Sequence, residues 1–295
     1  MFKWNRVLVA LIGVPLLVFI YAGESFFRIN LYGLPMLIFT NLVIGIGIYE
    51  FYKMIKILGK EVYDKFGMIV AIIIPNLVYL NNRSSYLEQK LITVVLIVAT
   101  IFMLTYRVFK NQIKGTLEKV SYTLLGIIYV SVFFSQIINL YFLGAVFPLI
   151  LQVLVWVSDT SAGIVGVAIG RKFFKNGFTE ISPKKSVEGA LGSIIFTGLA
   201  FMLIVVLYIE KINGATVGEV FLSFIIGAII SVVAQIGDLI ESLFKRECGV
   251  KDSGTILMGH GGVLDRFDSM ILVLPFVTMV LYFFHLYISY QYGIN

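Results

Sequence analysis

The sequence predicts an all-α, polytopic integral membrane protein with about nine transmembrane helices. Of its 295 residues, 59% are hydrophobic and 14% are charged, whereas a soluble globular chain carries about 25% charged residues. Apolar runs long enough for a membrane span, which needs roughly 20 residues, recur from one end of the chain to the other. Basic residues gather in alternate loops between these runs, as expected when the basic loops face the cytoplasm.

Nine apolar runs are candidate spans. The first follows Lys3 and Arg6 and imitates a signal peptide. It lacks a convincing small-residue cleavage site and further spans come after it, so we interpret it as a retained helix. The third run is short, and Pro75 interrupts it. The predicted spans are 7–23, 31–52, 67–80, 89–107, 119–142, 145–170, 186–209, 217–237 and 268–290.

The distribution of Lys and Arg supports keeping the third span. With nine spans, all but four of the 23 basic residues fall on one side of the membrane, the exceptions being Arg28, Arg83, Lys90 and Lys211. Without the third span, the later basic loops would lie opposite the earlier ones. We therefore predict a multi-pass protein of the cell inner (plasma) membrane with a cytoplasmic N-terminus and its C-terminus outside. The same topology explains the net charge of +6, so we predict no nucleic acid partner.

The chain is expected to divide into two regions by function. Residues 1–143 would supply spans one to five, and residues 144–295 would form a catalytic transmembrane region with spans six to nine. The longest extramembrane segments, the cytosolic loops 171–185 and 238–267, lie in the second region. Chemistry is expected in these loops or at the helix ends beside them.

Two features predict structure and not chemistry. The single cysteine, Cys248, excludes an intramolecular disulfide, and we interpret it as a passive thiol in a charged loop. Ala162, Gly166 and Gly170 repeat at every fourth position of the sixth span. This spacing of small residues is typical of close helix packing.

Carboxylates concentrate on both sides of the loop 238–267. Asp238 and Lys245 are seven residues apart and share a helix face if the eighth helix continues past the bilayer; a solvated helix end is the ordinary alternative. Asp265 and Asp268 lie three residues apart where the ninth span begins. One could cap the helix and the other complement its dipole. Together with Asp238, they could instead form an all-oxygen site for Mg²⁺.

Between Asp238 and the pair formed by Asp265 and Asp268 lies a glycine-rich segment, with Gly259, His260, Gly261 and Gly262 in succession. Glycines allow backbone N–H groups to approach a phosphate closely. A flexible turn is the alternative, but it does not account for the basic residues around the segment. These are Lys245, Arg246, Lys251 and Arg266.

A second polar segment, 182–189, has the sequence SPKKSVEG. Lys184 and Lys185 lie at the cytosolic end of the seventh span, where topology alone favours basic residues. They could also clamp a phosphate of a substrate or a lipid head group. Just upstream, Asp159 lies inside a span. An ionisable group at membrane depth is costly and is a candidate site residue, although the neighbouring hydroxyl groups could simply satisfy it.

Three segments carry a family resemblance: SDTSAG with the later GR (158–171), SPKKSVEG (182–189) and GDLIESLFKRECGVKDSG with the later GHGGVLDRFDS (237–269). They resemble the phosphatidate cytidylyltransferases, also called CDP-diacylglycerol synthases. The resemblance implies transfer of CMP from CTP to phosphatidic acid, with a divalent cation. One departure is Met258, which stands where the family usually has proline before GHGG. Met258 removes no ligand.

The resemblance completes a set of expected roles. Asp238, Asp265 and Asp268 are expected to bind Mg²⁺, with a second metal or a monovalent cation left open, and Lys245 and Arg246 to act with them in catalysis. Phosphatidic acid would enter from the inner leaflet and CTP from the cytosol. A homodimer is also left open. The expected substrate-binding residues are Asp159, Lys184, Lys185, Ser186, Lys251, Asp252, Gly259, His260, Gly261, Gly262 and Arg266.

Other function classes fit the sequence less well. A secondary transporter should place its densest polar cluster near the membrane midplane, whereas here the cluster lies at the cytosolic edge. A CDP-alcohol phosphotransferase should carry DGxxAR followed by GxxxDxxxD, and this pattern is absent. A CTP-dependent lipid kinase is a closer alternative that only an assay separates.

Overall fold

The computed structural model describes residues 4–84, 90–174, 177–209, 216–256 and 261–292. Within these ranges the chain is helical, apart from loops and one isolated bridge between Gly177 and Ser186. The long helices are α1 (Trp4–Phe27), α2 (Leu34–Ile57), α3 (Asp64–Arg83), α4 (Leu91–Phe109), α5 (Thr116–Leu143), α6 (Phe147–Ile169), α7 (Val187–Ile209), α8 (Val217–Glu247) and α9 (Leu264–Tyr292).

The predicted all-α membrane fold is confirmed, because each predicted span coincides with one helix. Among the described residues, the eight helices from α2 to α9 are long and apolar enough to cross a membrane. Helix α1, Trp4–Phe27, contains the whole of the first predicted span, 7–23. Which end of the chain faces the cytoplasm stays a prediction.

The third span forms a helix in spite of its proline, and a neighbouring side chain explains why. Proline has no N–H, so Pro75 leaves the carbonyl of Ala71, four residues earlier, without its helical donor. The buried Ser131 hydroxyl of α5 donates to that carbonyl at 2.6 Å. Buried polar groups in a membrane helix need such replacement partners, and Ser131 supplies one here.

A π-helical turn, Ile127–Val132, interrupts α5 where it packs against α2. Just before this turn, the Tyr52 hydroxyl of α2 donates to the Thr123 carbonyl at 2.8 Å. Glycine makes room for the same ring, because a Cβ at Gly126 would lie 2.5 Å from it. The tyrosine therefore fixes how these two helices meet.

The chain forms two compact units. The first comprises Met1–Leu149, Lys245–Phe267 and Leu274–Asn295, and the second comprises Ile150–Phe244 and Asp268–Val273. The predicted division into residues 1–143 and 144–295 was a division by function. The two compact units do not test it.

In the second unit, small residues let helices α6 and α7 meet closely. A Cβ at Gly189 would lie 2.7 Å from the carbonyl oxygen of Ala162 and 3.3 Å from the Cα of Gly166. This confirms that the predicted small-residue repeat packs helices. Deeper in the same unit, the hydroxyls of Ser158, Ser193 and Ser231 are hydrogen-bonded to one another at 2.8–3.0 Å and satisfy each other away from water.

Candidate active site

Helix α8 continues beyond its apolar stretch to Glu247, as its helical spacing predicted. The stripe of polar residues on its last turns is not a solvated helix end, since Glu241, Ser242 and Lys245 are buried. Two residues after this end lies Gly249, whose φ of 68° is in the left-handed region. The amide of Val250 returns to the Lys245 carbonyl at 2.9 Å, which is a Schellman stop.

Lys245 and Asp265 form a buried ion pair in the first unit. The ammonium nitrogen lies 2.7 Å from Asp265 Oδ1, and the two side chains are 10% and 6% exposed. The second oxygen, Oδ2, accepts from the amide of Gly262 at 2.7 Å and from the amide and hydroxyl of Ser253 at 2.9 and 3.0 Å. Asp265 therefore joins the end of α8, the loop and the start of α9.

A second carboxylate, Glu50 of α2, holds the same loop. It is 1% exposed and accepts from the amide of Val263 at 3.1 Å and that of Leu264 at 3.0 Å. The Ser253 hydroxyl lies 3.2 Å from Glu50 Oε2 and 3.0 Å from Asp265 Oδ2, so its proton bridges the two carboxylates. Helix α9 thus receives its N-terminal cap from a different helix.

Glycines are required where the loop closes around these carboxylates. A Cβ at Gly254 would lie 2.3 Å from a Glu50 oxygen, and one at Gly262 would lie 2.4 Å from the other. Gly261 has a φ of +80°, and a Cβ there would lie 2.4 Å from Asp265 Oδ2. The Gly262 amide of the predicted phosphate loop therefore donates to the protein's own Asp265 carboxylate. Met258, Gly259 and His260 lie outside the described residues.

The remaining predicted residues of this segment lie at its surface. Arg246, Lys251, Asp252 and Arg266 are exposed. The Arg246 guanidinium donates to the Val250 carbonyl at 3.4 Å, close to the helix end. Arg246, Lys251 and Arg266 add positive charge to this exposed part of the segment, and Asp252 adds a negative charge.

The second unit brings two other predicted residues together, Lys185 and Asp238. The Lys185 ammonium contacts Asp238 Oδ2, and both side chains are about one third exposed or less. The Ser242 hydroxyl lies 3.3 Å from Asp238 Oδ1. Lys185 thus pairs with a carboxylate of the later polar segment, which joins the two predicted polar segments within this unit.

Asp268 lies beside the same stretch of α8, because a glycine lets the backbones meet. A Cβ at Gly237 would lie 2.9 Å from the Asp268 carbonyl oxygen and 3.0 Å from the Cα of Ser269. Helix α8 thus meets the start of α9 at Gly237, and Asp238 is the next residue after this contact. Asp268 Oδ1 also accepts from the amide of Ser269 at 2.6 Å.

The loop carrying Lys185 is shaped by Glu188, the second residue of α7. Its carboxylate accepts from the amides of Arg171, Phe173 and Phe174 at 2.9–3.0 Å. The predicted Ser186 is buried, and its hydroxyl accepts from the Gly189 amide at 3.1 Å. The end of α6 is therefore tied to the beginning of α7.

Lys184 and Asp159 remain at the surface of the second unit. Lys184 is exposed in the same loop as Lys185. Asp159 lies within α6 on an exposed side of the helix, next to the buried Ser158. Its depth in an apolar helix keeps it a candidate.

Magnesium prefers oxygen ligands and is often held by one or two carboxylates together with substrate phosphates and water. Among the described residues, no three Asp, Glu, His or Cys side chains form a group able to hold a metal. Asp238 and Asp268 lie on stretches of α8 and α9 that approach each other at Gly237, and their role as Mg²⁺ ligands stays a prediction. Asp265 already accepts hydrogen bonds from four donors, and as a metal ligand it would have to release one of them.

Cys248 is buried immediately after α8. Burial raises the pKa of its thiol, and the neighbouring Glu247 carboxylate raises it further. A thiol whose pKa is raised forms less of the nucleophilic thiolate at neutral pH. This agrees with the predicted passive role.

Comparison with known proteins decides the family. Residues 4–284 match the profile described as the cytidylyltransferase family. The chain belongs to this family. It is 32% identical to the phosphatidate cytidylyltransferase of Bacillus subtilis over 252 residues, covering 83% of this chain and 89% of the relative. It is 34% identical to the protein of that name from Staphylococcus saprophyticus over 251 residues, covering 84% and 90%.

Sequence reasoning did not identify Glu50 or Glu188 as organisers of the two loops. Each had a signal. Glu50 is an isolated carboxylate within the apolar second span, and Glu188 lies within the SPKKSVEG segment. A buried carboxylate among apolar residues requires donors, so its presence predicts partners elsewhere in the chain.

Proposed function

We propose that this chain is a Mg²⁺-dependent CTP:phosphatidate cytidylyltransferase. It transfers CMP from CTP to phosphatidic acid, giving CDP-diacylglycerol and pyrophosphate for phospholipid biosynthesis. The observation that carries the proposal is the family match over residues 4–284, with relatives of that name aligned over most of both chains. The ion pairs of the two polar segments suit such a reaction.

The chemistry joins two polyanions. An oxygen of the phosphatidate phosphate bonds to the α-phosphorus of CTP, and the bond from that phosphorus to the bridging oxygen breaks. Pyrophosphate leaves with the electron pair. Catalysis of such transfers consists mainly of alignment and charge stabilisation. The lysines of the two ion pairs, with exposed Lys184, Arg246, Lys251 and Arg266, are the cations assigned to the phosphates.

No general base is needed for this attack. The second pKa of a phosphate monoester is about 6, so the nucleophilic oxygen is largely ionised at neutral pH. The protein therefore has to hold the two phosphates together against their repulsion. Lys245 suits this task because Asp265 fixes its ammonium at 2.7 Å in a nearly dry setting, where a charge acts more strongly than in water.

Asp238 and Asp268 are proposed to hold Mg²⁺, with Asp265 as a further ligand if it gives up one of its hydrogen bonds. The ion would neutralise phosphate charge and orient the triphosphate. Lys185 forms an ion pair with Asp238. The proposal requires neither a second metal, nor a monovalent cation, nor a homodimer, and it is compatible with each.

The polar segments are proposed to face the cytoplasm, because the basic loops belong on that side of a plasma membrane. CTP would then arrive from the cytosol. Phosphatidic acid would present its phosphate from the inner leaflet while its acyl chains stay in the bilayer. Both substrates would therefore meet at the cytoplasmic surface of the membrane.

The test is a product assay with the purified chain in detergent. With Mg²⁺, CTP and phosphatidic acid, we expect CDP-diacylglycerol and pyrophosphate in equal amounts. ATP, GTP and UTP in excess should compete poorly. Turnover of CTP without a cytidylylated lipid would refute the proposal.

A further inference from the structure

We propose that Glu50 is a positioning residue of the active site, which makes the second span part of the catalytic apparatus. The inference rests on the proposed function. Glu50 lies 203 to 214 residues before its partners in the chain, and none of the roles expected from the family resemblance falls on it. Glu50 and these partners all belong to the first unit.

Glu50 is the acceptor that the start of α9 lacks locally. The amides of Val263 and Leu264 precede the first helical hydrogen bonds and are buried, with these residues 7% and 1% exposed. A buried N–H without a partner destabilises the folded state. The Glu50 carboxylate accepts from both, so the position of the helix start depends on this side chain.

The helix start carries proposed catalytic groups. Asp265 is the second residue of α9 and holds Lys245, and Arg266 follows it. Ser253 links Glu50 directly to Asp265 through one hydroxyl. A displaced Glu50 would therefore shift the Asp265 carboxylate and, through it, the Lys245 ammonium.

The packing shows that the arrangement is specific to a carboxylate at this place. Two loop glycines, Gly254 and Gly262, leave no room for a Cβ because Glu50 oxygens lie within 2.4 Å of that position. A loop that merely covered an apolar helix would tolerate alanine there. The loop instead packs closely against the Glu50 carboxylate.

The experiment compares Glu50→Ala and Glu50→Gln with wild type by steady-state kinetics of CDP-diacylglycerol formation. For Glu50→Ala we expect kcat to fall about 100-fold, because misplacing a reacting group by an ångström has effects of that size. Glu50→Gln keeps one acceptor oxygen and the shape, and we expect a loss of about 10-fold. The KM for phosphatidic acid should stay within about two-fold of wild type in both.

Thr40→Val is the matched control. Thr40 is also fully buried in α2, but its hydroxyl donates only to the Met36 carbonyl of its own helix at 2.8 Å. We expect this variant to keep wild-type kcat. If Glu50→Ala does not fold, Glu50→Gln alone carries the test.

Hydrogen exchange at the amides of Val263 and Leu264 provides a readout that is independent of activity. Exchange should be faster in Glu50→Gln than in wild type and unchanged in Thr40→Val. If the wild-type chain forms no CDP-diacylglycerol, the proposed function fails while the exchange data still test the link to Glu50. Unchanged exchange, an unchanged kcat, or a kcat loss that only follows the loss of folded protein would overturn the proposal.

Discussion

Replacing Asp268 or Asp238 by asparagine is expected to abolish measurable CDP-diacylglycerol formation, with a loss of roughly a thousand-fold or more. Asparagine keeps the shape of the side chain and removes the charge that a divalent cation requires. The Gly237 contact holds both residues near the meeting point of α8 and α9, so each is expected to matter. The measurement is kcat over a range of Mg²⁺ concentrations with folded, detergent-purified protein.

Glu219→Gln is the matched control for these two variants. Glu219 belongs to the same unit and helix as Asp238 but lies exposed in the first turn, where it accepts from Thr216. Removing its charge should leave kcat unchanged. Near-normal turnover in both aspartate variants would contradict the metal assignment while leaving the enzyme class untouched.

Lys245→Met is expected to destabilise the protein as well as inactivate it. The variant keeps the length of the side chain but leaves the Asp265 carboxylate, 6% exposed, without its cation. Removing one partner of a buried pair costs about 3–5 kcal/mol in the free energy of unfolding. Thermal unfolding in detergent, followed alongside kcat, measures both effects.

The double variant Lys245→Met with Asp265→Asn separates folding from chemistry. Removing both charges eliminates the uncompensated carboxylate, so part of the lost stability should return. Activity should not return, because the cation assigned to the phosphates is still missing. A double variant as unstable as Lys245→Met alone, or one that recovers turnover, would contradict this account of the pair.

The spans and the helical arms of the site could be predicted because local patterns determine them. Runs of apolar residues indicate helices in a bilayer, and the distribution of basic residues supported the span that Pro75 made doubtful. The interval between Asp238 and Lys245 correctly placed them on a helix extending past the apolar stretch. The inference about Asp238 and Lys245 required only residue spacing along one helix.

Pairings between distant segments could not be predicted in the same way. The sequence offered several basic residues near the aspartates, and no local pattern selects Lys245 for Asp265 or Lys185 for Asp238. Glu50 was missed because its donors lie more than 200 residues away. The glycine loop was expected to bind phosphate, whereas its Gly262 amide donates to the Asp265 carboxylate, a choice that depends on tertiary packing.

The central claim, cytidylyl transfer to phosphatidic acid, is tested most directly by following which phosphorus of CTP reaches the lipid. Purified protein would be given Mg²⁺, phosphatidic acid and CTP labelled at either the α- or the γ-phosphorus. The account predicts that the α-label enters the lipid product and that the γ-label leaves in pyrophosphate. Transfer of the γ-label to lipid, with release of CDP, would identify a lipid kinase and contradict the account.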